Sequence, residues 1–187
     1  MLDSGRLPVP LMSRLCKRSS PSISEAWRTV HVYQTLSNPK IVHILKLLSE
    51  VCVDGKMEDV VIDSPLTVER IMPQGWVANW SLADGSKGMG LEELSRIDMS
   101  DPVTAVAVES RSRNALVRTS GNRTILTRSL SSSASNSAWT VKRKKLLTYS
   151  LLPISQMLAE REVWDEAAIR ERSEVLLKLA LRLWPRS

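Results

Sequence analysis

The sequence predicts an α+β fold in which two short strands and a helix are embedded in a mainly helical domain. Three observations predict it. Apolar residues recur at helical spacing over 39–53 and again over 165–184. Between them only short stretches read as extended, the clearest being Leu66–Glu69 and Arg123–Thr127. The chain has no internal period, so a repeat architecture is excluded. With 187 residues and 43% hydrophobic content it fits one packed domain. Residues 1–24, rich in Ser, Pro and Arg, read as a loose lead-in to a domain over 25–187, with a core motif over about 60–149.

The first helix is placed at NPKIVHILKLLSEVCVDG, with Asn38 as its cap and Pro39 at the first helical position. Ile41, Ile44, Leu45, Leu48 and Cys52 share a face, and Asp54-Gly55 ends the run. His43 falls on the opposite, solvated face, and His31 is isolated. Val60–Ile62 and Leu66–Glu69 read as extended segments around a Ser64-Pro65 turn. Four of the seven glycines lie from Gly75 to Gly90, which predicts a surface insertion with one short helix near Leu91–Arg96. NALVRTSGNRTILT reads as a short helix, a Ser120-Gly121 turn and a strand over Arg123–Thr127. SLSSSASNS reads as a loop. Asn136 or Ser137 then caps a helix in which Trp139, Val141, Leu146 and Leu147 supply core contacts. The last helix is the clearest. Asp165 caps it, Pro185 stops it, and eight of nine positions in the stripe Ala168, Ile169, Arg172, Val175, Leu176, Leu179, Ala180, Leu183 and Trp184 are apolar.

Composition excludes several function classes. Cys16 and Cys52 are the only cysteines, too few and too far apart for a metal-ligand pair or a disulfide framework. A reduced, cytoplasmic setting is expected. The first twenty residues lack the continuous apolar segment of a signal peptide, and no run approaches a membrane span. Charge is more informative. From Ser110 to Ala159 there is no Asp or Glu, against nine Lys and Arg residues. The other 17 of the 26 basic residues face all 20 acidic ones. A one-signed block on an otherwise slightly acidic chain points to a phosphate-bearing partner, or to a solvated basic face with none.

The order strand with TVERIMPQ, insertion, GNRTILT strand, Ser-rich segment and basic helix is that of an HNH, or ββα-metal, nuclease. The wording resembles one group more closely, the C-terminal nuclease domain of the GmrSD-type, modification-dependent restriction endonucleases. Its phrases run like (I/V)EHIMPQ..W, then GNLTLLT..LN...SN..W..KR, then WDE..I..R...L...A...W. Here they stand as VERIMPQGW, GNRTILTRSLSSSASNSAWTVKR and WDEAAIRERSEVLLKLALRLW, in the same order, over about residues 38–185. The resemblance implies a small HNH-like core embedded in a mainly helical domain and a metal-dependent DNA endonuclease. Full-length members also carry a nucleotide-hydrolysing domain, which makes such a domain or subunit an expected partner beside DNA.

HNH chemistry needs a divalent metal, Mg2+ or Mn2+, on the scissile phosphate and the leaving oxygen. It also needs a neutral imidazole to take a proton from the attacking water. By resemblance Glu69 takes the acidic metal-ligand position, Arg70 the general-base position and Asn122 the asparagine that steadies the loop around the base. Ser131 stands where the phrase LN places a ligand asparagine, and Asn136 matches the later one. Arg70 departs most from the pattern, because a guanidinium accepts no proton at working pH. Ser131 is a weak ligand at best. Arg123 replaces an apolar strand residue.

Three functions follow as expectations. One is a degenerate HNH domain that still binds DNA through Arg123, Arg128, Lys142, Arg143, Lys144 and Lys145, with Arg70 as a further phosphate contact. Another is a nuclease disabled by a few substitutions. The third is an interaction module that uses the helices at 39–53 and 165–184.

Overall fold

The computed structural model describes Trp27 and residues 35–52, 62, 64–97, 104–134 and 136–184. The lead-in, His31, Val60, Val61, Asp54-Gly55 and Pro185 lie outside the described residues. The elements in order are α1 (Asn38–Val51), β1 (Leu66–Arg70), α2 (Leu91–Ser95), α3 (Ala105–Leu116), β2 (Arg123–Thr127), α4 (Arg128–Ala134), α5 (Trp139–Tyr149), α6 (Pro153–Ala159) and α7 (Glu166–Leu183). The fold is α+β, as the sequence predicts.

β1 and β2 pair antiparallel, from Leu66 opposite Thr127 to Arg70 opposite Arg123. Successive strand residues point to opposite faces, and this small sheet acts as a septum between two cores. On one side Ile125 joins Ile41, Leu45 and Leu48 of α1, Ile154 of α6 and Leu176, Leu179 and Ala180 of α7. On the other side its neighbour Leu126 joins Ile71, Met72, Trp76, Leu130, Trp139, Leu146, Trp164 and Ile169. The apolar stripes of α1 and α7 are therefore buried against each other and the sheet.

Several elements differ from the sequence reading. α1 starts from Ser37, whose carbonyl accepts from Ile41 N at 3.1 Å, so Asn38 is inside the helix and not its cap. Pro39 still suits the first turn, where no N–H is needed. The serine-rich segment is helical as far as Ala134: Leu130 and Ala134 bury one side of α4. The hydroxyls of Ser132 and Ser133 donate to the carbonyls of Arg128 and Leu130 at 2.8 and 2.9 Å, which satisfies them without breaking the helix. α3 is longer than expected and begins at Thr104, whose hydroxyl caps Ala107 N at 3.2 Å. α5 starts from Ala138 with no side-chain cap, and its buried face is Trp139, Lys142 and Leu146. Val141 and Leu147 are exposed instead.

The glycine-rich insertion is not simply surface. Trp76 is fully buried, with its indole N–H 2.9 Å from Asn114 Oδ1 and the Arg113 guanidinium 4.7 Å from its ring centre. Gly88 lies so close to this ring that an added Cβ would sit 2.1 Å from Trp76 Cη2. Asp165 does cap α7, accepting from Ala168 N at 2.8 Å. Among the described residues no helix is long and apolar enough to cross a membrane.

Candidate active-site cleft

β1 runs out at Arg70, and the chain turns at Ile71–Met72 over a single side chain. Asn122 is wholly buried. Its Oδ1 accepts from Met72 N at 2.8 Å and from the Trp164 indole at 3.2 Å. Its amide group donates to the carbonyls of Met72 and Val117 at 2.8 and 3.0 Å. Two acceptor and two donor positions are thus filled, the full capacity of an asparagine. Ile71 N adds a bond to the Asn122 carbonyl at 3.1 Å.

Above this floor opens a cleft of about 410 Å³ between β1, the loop after it and α4. Glu69, Arg70, Gln74, Arg128, Ser131 and Asn136 line it. The Glu69 carboxylate is engaged at both oxygens: Lys142 Nζ donates to Oε1 and Ser131 Oγ to Oε2, each at 2.7 Å. Lys142 Nζ also donates to the Arg70 carbonyl at 2.7 Å. This lysine is only 2% exposed. Burial pushes its ammonium down from the ordinary lysine range, while the Glu69 charge pulls it back up.

Glu69, Arg70, Arg128, Ser131 and Asn136 therefore meet in one place. Asn79 Nδ2 donates to the Asn136 backbone carbonyl at 2.9 Å. Asn122 lies beneath as a support.

The basic residues divide otherwise than expected. Lys142 and Arg123, the latter 1% exposed, are buried and reach no surface ligand. Arg143 Nε donates to the Ala159 carbonyl at 2.7 Å, and Lys145 Nζ donates to the Ser133 carbonyl. Those two carbonyls lie in the last turns of α6 and α4, where backbone acceptors have no helical partner and the dipole favours a cation. Of the cations on this helix Lys142 is buried, while Arg143 and Lys145 are half-buried and each place one donor on a carbonyl of a neighbouring element. Lys144 is exposed but does not line the cleft.

Other supporting residues escaped the sequence reading. Glu166 pairs with buried Arg113, and Arg113 also donates to the Ser81 carbonyl at 2.7 Å. Arg172, the polar member of the α7 stripe, is buried and donates to the carbonyls of Gly121, at 2.9 Å, and Arg123. Burial lowers its pKa to about 9, which leaves it charged at neutral pH. The signals were present. Position 142 falls between Trp139 and Leu146 on one helical face, and position 172 lies inside an apolar stripe.

The family model of the C-terminal domain of GmrSD restriction endonucleases matches residues 17–179. The chain belongs to this family. Membership in the GmrSD C-terminal family makes it a nuclease-type domain of restriction-endonuclease kind, and the match spans Glu69, Arg70, Asn122, Ser131 and Trp164. Comparisons with curated proteins and with solved structures found no match.

Proposed function

We propose that the domain is a nuclease fold whose cutting chemistry is disabled and whose remaining activity is to hold DNA by its phosphates in the cleft. The observation that carries this reading is the state of Glu69 and Arg70. Glu69 is the ligand position of the resemblance, yet an ammonium and a hydroxyl occupy its two oxygens. The neighbouring base position is a guanidinium, which takes no proton from water.

A divalent metal would bind the scissile phosphate and stabilise the departing oxygen. The donor set does not fit one. It offers a single carboxylate, already paired with Lys142, a serine hydroxyl that is itself donating to that carboxylate, and otherwise neutral donors such as the side chains of Gln74, Ser132 and Asn136. Among the described residues no group of three His, Cys, Asp or Glu converges.

Binding is supported by different groups. Arg70 and the exposed Arg128 line the cleft beside the polar side chains of Gln74, Ser131, Ser132 and Asn136. Arginines and hydroxyls are the usual phosphate contacts of DNA-binding proteins.

The test is nicking of supercoiled plasmid in Mg2+ and in Mn2+, with a chelator control, alongside duplex binding over a salt series. The wild-type chain is expected to bind, with log K falling by about 0.9 per log salt for each phosphate neutralised, and not to nick. Arg70→His with Ser131→Asn is expected to restore metal-dependent nicking. Metal-dependent nicking by the wild-type chain, or a flat salt response, would overturn the reading.

A further inference from the structure

The glycine-rich insertion after β1 touches the far wall of the cleft. Asn79 Nδ2 donates to the Asn136 backbone carbonyl at 2.9 Å, across 57 positions of sequence. Both residues are exposed, and Asn136 lines the cleft whereas Asn79 does not. An exposed hydrogen bond adds little to stability, because water competes for both groups. Its consequence is geometric. Asn136 lies in the short link between Ala134, the end of α4, and Trp139, the start of α5. Fixing its carbonyl fixes the plane of the peptide that follows, and with it the direction in which the Asn136 side chain is presented to the cleft.

The donor is itself firmly held. Residues Trp76–Ala78 form one turn of 3-10 helix, and the N–H groups of Asn79 and Trp80 both donate to the Trp76 carbonyl, at 3.0 and 2.9 Å. Trp76 is wholly buried, and its indole N–H reaches Asn114 Oδ1 on α3 at 2.9 Å. A chain of contacts therefore runs from α3 through Trp76 and Asn79 to the link that carries Asn136.

We propose that Asn79 is a positioning residue: it aims the Asn136 side chain into the cleft and so makes Asn136 part of the grip on DNA. The inference rests on the reading of the cleft as a DNA site. It adds to that reading one named contact and the residue outside the cleft that sets it. An asparagine amide is an ordinary hydrogen-bonding partner of the DNA backbone.

The experiment is fluorescence anisotropy of a labelled duplex oligonucleotide, in Mg2+ and in chelator. It compares wild type, Asn79→Ala, Asn136→Ala and the double variant. Each single variant should bind at least about threefold more weakly than wild type. The two losses should not multiply. The double variant should bind within about 1.5-fold of Asn136→Ala, because the orientation of a side chain that is gone no longer matters. In heteronuclear NMR, the Asn136 side-chain amide signals should shift when duplex saturates wild type, and by less than about half as much in Asn79→Ala. The urea midpoint of Asn79→Ala should match that of wild type.

Losses that multiply overturn the inference, because Asn79 then acts elsewhere than through Asn136. So does an Asn79→Ala variant that fails to fold or loses its urea midpoint, since its role is then structural. Either single variant binding like wild type also overturns it and leaves the DNA reading standing. No binding by wild type in Mg2+ or in chelator overturns the DNA reading itself.

Discussion

The floor and the walls of the cleft are held by different kinds of partner. On the floor, Asn122 meets Met72, Val117 and Trp164, all within the chain and out of water. In the walls, Arg70, Arg128 and Asn136 border open space. Asn122 in the floor matches the phrases of the resemblance, as do Glu69, Gln74 and Asn136 in the walls, whereas Arg70 and Ser131 in the walls stand where the resemblance implies histidine and asparagine. A buried side chain with four internal hydrogen bonds cannot change without stranding its partners. A half-open site tolerates a change of chemistry more easily, because solvent accommodates the new group.

That contrast breaks if the floor tolerates change as well as the walls do. Asn122→Leu is expected to have the largest effect, roughly 4 kcal/mol of stability in urea unfolding, since it leaves buried backbone and indole groups unsatisfied. Glu166→Ala should follow at about 3 kcal/mol, because it strands the Arg113 guanidinium, itself 3% exposed. Gly121→Ala should cost about 2 kcal/mol. Its new Cβ would lie 2.3 Å from the Ile169 carbonyl oxygen, which forces α7 away from the turn before β2. In the walls, Arg70→His with Ser131→Asn should move stability by less than about 1 kcal/mol, whatever it does to nicking. Lys144→Ala, on the exposed side of α5, should be smallest, within about 0.5 kcal/mol and with no change in the salt slope of DNA binding.

Much of this was legible in the sequence. The strand over Arg123–Thr127, the capped helix from Asp165 and the meeting of Glu69, Arg70, Ser131 and Asn136 all follow from pattern or from wording. What was not legible has physical reasons. α6, only seven residues long, is too short for a helical period to show. α4 hides behind serines that normally favour loops, and here their hydroxyls bond back into the helix. The charge block shows only part of its arrangement, because composition does not record direction. Lys142, Arg143 and Lys145 each place a donor on a carbonyl of a neighbouring element, and of the three only Lys142 is buried. Arg113 and Arg172 repeat the pattern with the carbonyls of Ser81 and Gly121. A mainly helical domain with one small sheet leaves many chain ends and turns with unpaired acceptors, and long cations supply donors to them.

The indole of Trp164 closes its bond to Asn122 across 42 positions, and Arg172 reaches Gly121 across 51. A growing chain therefore spells out β1, β2 and α4 well before it can lock the turn beneath them. Until residues 164–172 have emerged, Asn122 lacks its bond from the Trp164 indole and the Gly121 carbonyl lacks Arg172. Synthesis and closure run in different orders: the segment written last fixes the shape of the segment written near the middle. Contacts this distant in sequence slow the search for the native state, so the last helix completes the support of a cleft whose lining residues all precede it.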